Sequence, residues 1–249
     1  MDDRKIIVST GWEADQLGNL TQVVMPSYIE TLQAPEFLSY QGKYIYWLPS
    51  IASRLRALDA PNCVQIPQTC CLGFTNLTQV NLPALTSLSS SGNGGSSGAF
   101  YGCTGLTTIS LPALTSLSSS SNNNGSSGAF YGCTGLTTIS LPALTSLSSS
   151  SNSGYSGAFY GCTGLTTISL PALVTNNDTG QYTATFCNCR NLTDVQLGSE
   201  GHAVTSLGQY MFKGCTQSNL TITVYTNGGA SIANAPWGAT NATVIYEEA

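Results

Sequence analysis

GSSGAFYGCTGLTTISLPALTSLSSSSN occupies residues 95–122 and recurs unchanged at 125–152, and its central stretch GAFYGCTGLTTISLPAL returns a third time from Gly157 to Leu173. A chain that repeats itself at a period of a few tens of residues stacks equivalent coils instead of wrapping elements around one core. Function is then expected on a surface and not in a deep pocket.

Written from its first leucine, the unit is LxxIxLPALTSL, with apolar residues at offsets 0, 3, 5, 8 and 11 and proline at offset 6. Divergent copies keep the phase. Leu55, Leu58, Ala60, Cys63 and Ile66 fit it, as do Leu77, Val80, Leu82, Leu85 and Leu88. Leu192, Val195 and Leu197 open another copy, whose second half resumes at Val204 and Leu207 after the insertion GSEGHA. Leu20, Val23, Met25 and Pro26 match near the start, followed by Ile29 and Leu32, and Leu220, Ile222 and Val224 make a last strand. The pattern predicts eight coils, led by leucines 20, 55, 77, 106, 136, 165, 192 and 220.

Within a coil, Ile109 and Leu111 are two apart and point inward while Thr108 and Ser110 point outward, the alternation of a short strand that pairs in parallel with its neighbours. Pro112 ends that strand because it lacks the N–H a ladder needs. LTSLS repeats the alternation and admits a second short strand. GAFYGC, with glycines flanking an aromatic pair, suits a tight turn or a single helical turn, with Phe100 inward.

AFxGCxxLxxIxLPxxLxxI resembles the pattern of BspA-like leucine-rich repeats, found in surface proteins of gut and oral bacteria and in tail-associated proteins of their phages. The resemblance covers about residues 20–225. It implies a right-handed leucine-rich-repeat solenoid of about eight coils, with a parallel β-sheet on one face and turns or short helical turns on the other. It also implies recognition or adhesion, not catalysis. Residues 1–19 are expected as an N-terminal cap, 33–54 as an insertion and 226–249 as a C-terminal cap, in which Trp237 covers the last coil and Val244 and Tyr246 add a closing strand. The central copies depart from the family pattern: PALTSL is one residue shorter than PxxLxxI, and Ser/Asn/Gly stretches near 89–97, 118–127 and 148–156 precede AFYGC. By composition alone these stretches read as flexible linkers forming a polar fringe.

Three sets of residues are candidate contacts. The outward strand positions Thr108, Ser110, Thr138, Ser140, Thr167, Ser169, Asp194 and Gln196 form a grid of short hydroxyl, amide and carboxylate groups. That grid either binds a partner or stabilises the sheet edge to edge. Tyr101, Tyr131 and Tyr160 recur at one position, either as an exposed platform for sugar rings or as rings packed coil on coil. Tyr44, Tyr46 and Trp47, in the aromatic-rich YQGKYIYWLP, either belong to the cap or make an oligomer or attachment contact.

Only 8% of the residues are charged, against about 25% in typical domains, and the net charge is −5. Seven basic residues without a cluster give no footprint for a phosphate backbone, so nucleic acid is not an expected partner. No apolar run is long enough to span a bilayer, so no membrane insertion is expected. The first residues, MDDRKIIVSTGWEADQ, lack the order of a signal peptide. Cys103, Cys133, Cys162 and Cys189 each precede a repeat leucine by three residues, which makes them one interior column of reduced thiols. Neither CxC at Cys187 and Cys189 nor the vicinal Cys70 and Cys71 has a second pair at zinc spacing. NNDTG at 176–180 reads as a turn and not a calcium loop. The sole histidine, His202, has no nucleophile at motif spacing. No metal, cofactor or enzymatic activity is therefore expected. The reading is a non-catalytic, extracellular or virion-borne recognition protein presenting a repeated neutral surface to a glycan or protein. The alternative is a structural component of a larger assembly such as a phage tail or cell-surface layer.

Overall fold

The computed structural model describes residues 55–59, 64, 66, 68–180 and 182–249, together with the strands Lys5–Ile7, Thr31–Gln33, Ser39–Tyr40 and Lys43–Tyr44. The chain forms a parallel β-solenoid. Its front face is a series of short strands: Ala57–Asp59, Gln79–Asn81, Thr108–Ser110, Thr138–Ser140, Thr167–Leu170, Asp194–Leu197 and Thr221–Thr226. Thr243–Glu248 closes the series, pairing in parallel with Thr221–Thr226 from Thr221↔Thr243 to Thr226↔Glu248. Their inward residues build the core. Seven of the expected leading leucines, Leu55, Leu77, Leu106, Leu136, Leu165, Leu192 and Leu220, are fully buried.

The eight expected coils reduce to about five complete turns among the described residues, those between Leu77 and Leu220. Leu20 and the strand expected beside it lie outside the described residues. The strand that pairs with Ala57–Asp59 is instead Thr31–Gln33, in the register Leu32↔Leu58, and Lys5–Ile7 pairs with it in turn. TLQ supplies the same polar–apolar–polar alternation that the ladder needs at Leu58 and Val80. The segment expected as an insertion contains an antiparallel pair, Ser39–Tyr40 with Lys43–Tyr44.

Behind the front face, the Ser/Asn/Gly stretches are ordered strands, not linkers. Ser87–Asn93, Ser116–Asn122, Ser146–Ser151 and Thr175–Asn176 form a lateral parallel sheet, and Ser96–Ser97, Gly125–Ser127 and Gly154–Ser156 form a third. Each arm goes out along the lateral sheet, turns, and returns along the third. In the second copy the turn is Asn123–Asn124, both at positive φ, 49° and 59°, a conformation asparagine tolerates. The two layers are thin because their facing positions are Ser and Gly. Ser119, Ser121, Gly125 and Ser127 are buried between them, and a Cβ at Gly125 would stand 3.0 Å from the carbonyl oxygen of Gly95. Serine is a poor strand former by propensity. Here most residues pair with an identical one a coil away, as in Ser119↔Ser90 and Ser119↔Ser149, so the coil ladder and not propensity holds the arm. The cost shows in the buried hydroxyls of Ser90, Ser119, Ser149 and Ser156, which find no hydrogen-bond partner.

GAFYGC is a hydrogen-bonded corner, and the one helical element among the described residues is a 3₁₀ turn at Asn227–Gly229. Its amides alternate between their own turn and the next coil: Tyr101 N–H to Gly98 O, Phe100 N–H to Ala129 O and Gly102 N–H to Tyr131 O. Gly102 sits at φ +70°. Gly98 serves a different purpose, since a Cβ there would collide with the carbonyl of Gly128 in the next coil. Phe100, Phe130, Phe159, Phe186 and Phe212 stack through the centre with ring centroids 5.1 to 5.6 Å apart.

The cysteine column is interior, and each thiol has an acceptor. Cys103 Sγ donates to Cys71 O at 3.1 Å, Cys133 to Phe100 O at 3.0 Å and Cys162 to Phe130 O at 3.0 Å. Burial pushes the Cys133 and Cys215 thiols up to about 12, which keeps them protonated and unreactive. Trp237 is fully buried, donating its indole N–H to Ala233 O at 2.9 Å and accepting Phe212 N–H at 2.9 Å. It thereby closes the phenylalanine column.

NNDTG closes the arms. In the lateral sheet the leucine column Leu88, Leu117, Leu147 ends at the buried Asn176. Its amide donates to Thr185 Oγ1 and accepts the N–H of Gly208. Asp178, also buried, accepts the Thr185 N–H at 2.7 Å and the Thr185 hydroxyl at 3.0 Å. Burial raises its pKa from 3.8 to about 6, against the hydrogen bonds from Thr185. A raised folded-state value favours folding when the group is protonated. The contribution is complete below about 3.8, is lost as pH rises through about 6, and amounts to up to about 3 kcal/mol. Thermal melts should therefore show a melting temperature that rises from pH 7.5 to pH 5. Asp178→Asn should melt higher than wild type at pH 7.5 and show a smaller rise. Parallel pH profiles for the two proteins would contradict this assignment.

Candidate functional site

The front face places the expected grid on the surface. Thr108, Ser110, Thr138, Ser140, Thr167, Ser169 and Asp194 are exposed and Gln196 is half-buried. Registers Thr138↔Thr108 and Ser140↔Ser110 align the rows across coils, about 4.8 Å apart as parallel strands require.

Sequence reasoning left open whether such hydroxyls bind a partner or fasten the sheet. The structure divides the work between different threonines. Thr137 Oγ1 donates to Thr107 O at 3.0 Å, Thr193 to Thr166 O at 3.2 Å, Thr115 to Thr86 O at 3.2 Å and Thr145 to Thr115 O at 3.2 Å. These fasten one coil to the preceding one. Among the described residues, the side chains of Thr108, Ser110, Thr138, Ser140, Thr167 and Ser169 make no hydrogen bond within the protein. Thr78, Thr137 and Thr193 occupy the position directly after the repeat leucine and take this fastening role, while Thr107 and Thr166 at the same position do not; the threonine recurs there without marking which copies fasten.

Tyr101, Tyr131 and Tyr160 form a near-perfect stack, with centroids 4.7 Å apart at both steps and ring planes 4° and 1° from parallel. Their faces cover one another, and each ring is half-buried. Burial pushes the Tyr131 hydroxyl up to about 12, with Ser126 opposing, and raises Tyr160 as well. The column thus presents edges and hydroxyls, while its ring faces are spent on packing. Tyr46 and Trp47, and the side chain of Tyr44, lie outside the described residues.

Beyond Tyr160 the column changes character. Corner hydrogen bonds make Cys187 and then Lys213 its successors: Gly161 N–H bonds to Cys187 O and Asn188 N–H to Lys213 O. Asn188 takes the left-handed position of the earlier glycines, φ 60°, and its amide donates to Tyr160 Oη at 3.1 Å. The outward row of the third sheet runs alongside. It reads Ser96, Ser126, Tyr155 by register, and the Ser156↔Thr183 bridge brings Tyr182 next. Tyr155 meets Tyr160 edge-on at 5.7 Å and Tyr182 at 5.5 Å, while Lys213 Nζ stands 4.9 Å from the Tyr182 ring centroid and 5.9 Å from that of Tyr210. The sequence carried a signal for this corner, since TFCNC and MFKGC replace AFYGC and Tyr155 replaces a serine.

A profile of the BspA type leucine rich repeat region matches residues 25–127 and 96–231, in six copies. A crystal structure of a leucine-rich repeat protein from Bacteroides ovatus ATCC 8483 is similar at 19% identity over 88% of this chain, with a TM-score of 0.36. The present chain spans 56% of that protein's length. No curated protein matches the chain. No helix among the described residues is long and apolar enough to cross a membrane. With leucine, phenylalanine and cysteine columns recurring through the matched residues, the chain belongs to the BspA-type leucine-rich-repeat family.

Proposed function

We propose that this protein is a non-catalytic recognition or adhesion module that works outside the cell or on a virion, and that its front face engages a glycan or protein partner. The observation that carries this reading is the division of labour among hydroxyls. One set fastens coils together, and a second set, repeated in flat rows, is exposed and makes no hydrogen bond within the protein. Weak contacts repeated at a fixed spacing gain strength through multivalency, without one tight pocket.

The test is binding of the chain to arrayed glycans and extracellular proteins, before and after replacing Thr108→Val, Thr138→Val and Thr167→Val together. Valine preserves β-branching and strand preference, so the far-UV spectrum should stay constant. Avidity should fall by about tenfold or more in the triple variant and only a few-fold in Thr138→Val alone. An unchanged triple variant would remove the front face from the function. A stable ligand-free oligomer in light scattering, with no partner bound, would favour a component of a larger assembly.

A further inference from the structure

Two neighbouring rows change chemistry at the same place. Along one, Tyr101, Tyr131 and Tyr160 give way to Cys187 and Lys213, and along the other Ser96 and Ser126 give way to Tyr155 and Tyr182. Where the tyrosines of the column are half-buried, those of the neighbouring row are exposed. Tyr155 is 43% and Tyr182 49% exposed, and they are the only aromatic side chains among the large hydrophobics exposed in the described residues. They stand at 83° to each other, forming a corner and not a flat plate.

Charge is concentrated at the same corner. From residue 57 to the last residue, the sequence contains two basic residues, Arg190 and Lys213. Both act on Cys187: burial raises this thiol's pKa, Tyr160, Lys213 and Arg190 pull against that rise, and the buried Asp178 adds to it. Arg190 is exposed. In a chain of net charge −5, the pair supplies the positive charge that an anion needs. Among the described residues, the other exposed large hydrophobics are Val64 and Ile245, in the first and last coils, so the exposed apolar surface here is tyrosine. That favours a flat ring with polar substituents over the aliphatic side chains of a peptide.

We infer that the corner made by Tyr155, Tyr182, Tyr210, Lys213 and Arg190 is a subsite for an acidic glycan, with a sugar ring against Tyr155 and its carboxylate bonded to Lys213 and Arg190. The inference rests on the recognition function proposed above and gives it a ligand class. A carboxylate accepting from an ammonium and a guanidinium gains charge-assisted hydrogen bonds. Ser126, paired with Tyr155, and Asn188, bonded to Tyr160 Oη, add polar groups beside the corner for the sugar hydroxyls.

The test is calorimetric titration of the full chain with 3′-sialyllactose, tetragalacturonate, maltotetraose and a poly-glutamate peptide. The first two probes present a carboxylated sugar as sialic or as uronic acid, the third is neutral, and the fourth carries carboxylates without sugar rings. At least one acidic sugar should bind at least about tenfold more tightly than maltotetraose and poly-glutamate. Arg190→Gln and Tyr155→Ala should each weaken it by about tenfold, and Tyr155→Phe should retain most of it. Binding should weaken with added salt. The proposal is overturned if neither acidic sugar binds, if maltotetraose or poly-glutamate binds equally well, or if Arg190→Gln and Tyr155→Ala change nothing. Arg190 is an exposed side chain, so its variant keeps the question open to an answer even where Tyr155→Ala fails to fold. Acidic-sugar binding that survives both variants but is lost in the front-face triple variant overturns this subsite while leaving the recognition function standing. Failure to bind any arrayed glycan or protein overturns both.

Discussion

Replacing Gly128 with alanine is expected to destabilise the solenoid by about 4 kcal/mol or more. The added Cβ would collide with the carbonyl oxygen of Gly157 and come within 2.8 Å of its carbonyl carbon and 3.2 Å of Tyr131 Cβ. The obstacle is backbone, so no rotamer change relieves it. The coils must separate where Gly157 N–H bonds to Ser127 O, Phe130 N–H to Ala158 O and Gly132 N–H to Tyr160 O. Gly95→Ala is the control. It belongs to the same repeated stretch, but its Cβ would meet nothing within 4 Å, and a change within about 0.5 kcal/mol is expected. Chemical denaturation followed by far-UV circular dichroism separates the two. Equal stability of both variants would show that coil contact at this corner is not what fixes glycine there.

Removing the Trp237 side chain acts at the other kind of weak point, an end. Trp237→Ala empties the largest fully buried side chain among the described residues and orphans the carbonyl of Ala233. A loss of about 3–5 kcal/mol is expected. In a stack whose coils touch only their neighbours, the damage should stay local. Hydrogen exchange should therefore accelerate in Thr221–Thr226 and Thr243–Glu248, while the identical central copies keep their protection. Trp237→Phe keeps most of the volume and should lose less. Uniform loss of protection along the chain would mean that the coils fold as one cooperative block.

Much of the scaffold was legible in the sequence for a simple reason. Ile109, Leu111, Leu114 and Leu117 recur at one phase because each must enter the same interior column, and a fixed period leaves few other arrangements. The buried thiols followed from the same phase. The Ser/Asn/Gly arms were misread as linkers because local composition is the wrong guide there. Ser116–Asn122 is a strand only because an identical strand lies one coil away to pair with it. At the N-terminus, LTQVVMP matched the leucine pattern, yet the strand paired with Ala57–Asp59 is Thr31–Gln33. Two overlapping alternations lie in that segment, and only pairing selects between them.

The candidate site divides along the same line. The exposed Thr and Ser rows were readable, since alternation decides which way a strand residue points. Whether a hydroxyl is spent on the neighbouring coil was not readable, because Thr137 and Thr138 are adjacent and chemically identical, yet only Thr137 reaches a carbonyl of the preceding coil. Tyr155, Tyr182 and Lys213 come from three different coils, and nothing in their spacing marks them as neighbours until the coils are stacked. By itself, then, the sequence determined the repeat, its inward columns and its outward rows, all of which depend on periodicity within one coil. Only the tertiary structure decided the serine arms, the fate of each hydroxyl and the aromatic–basic corner, because these depend on contacts between coils, which sequence separation does not reveal.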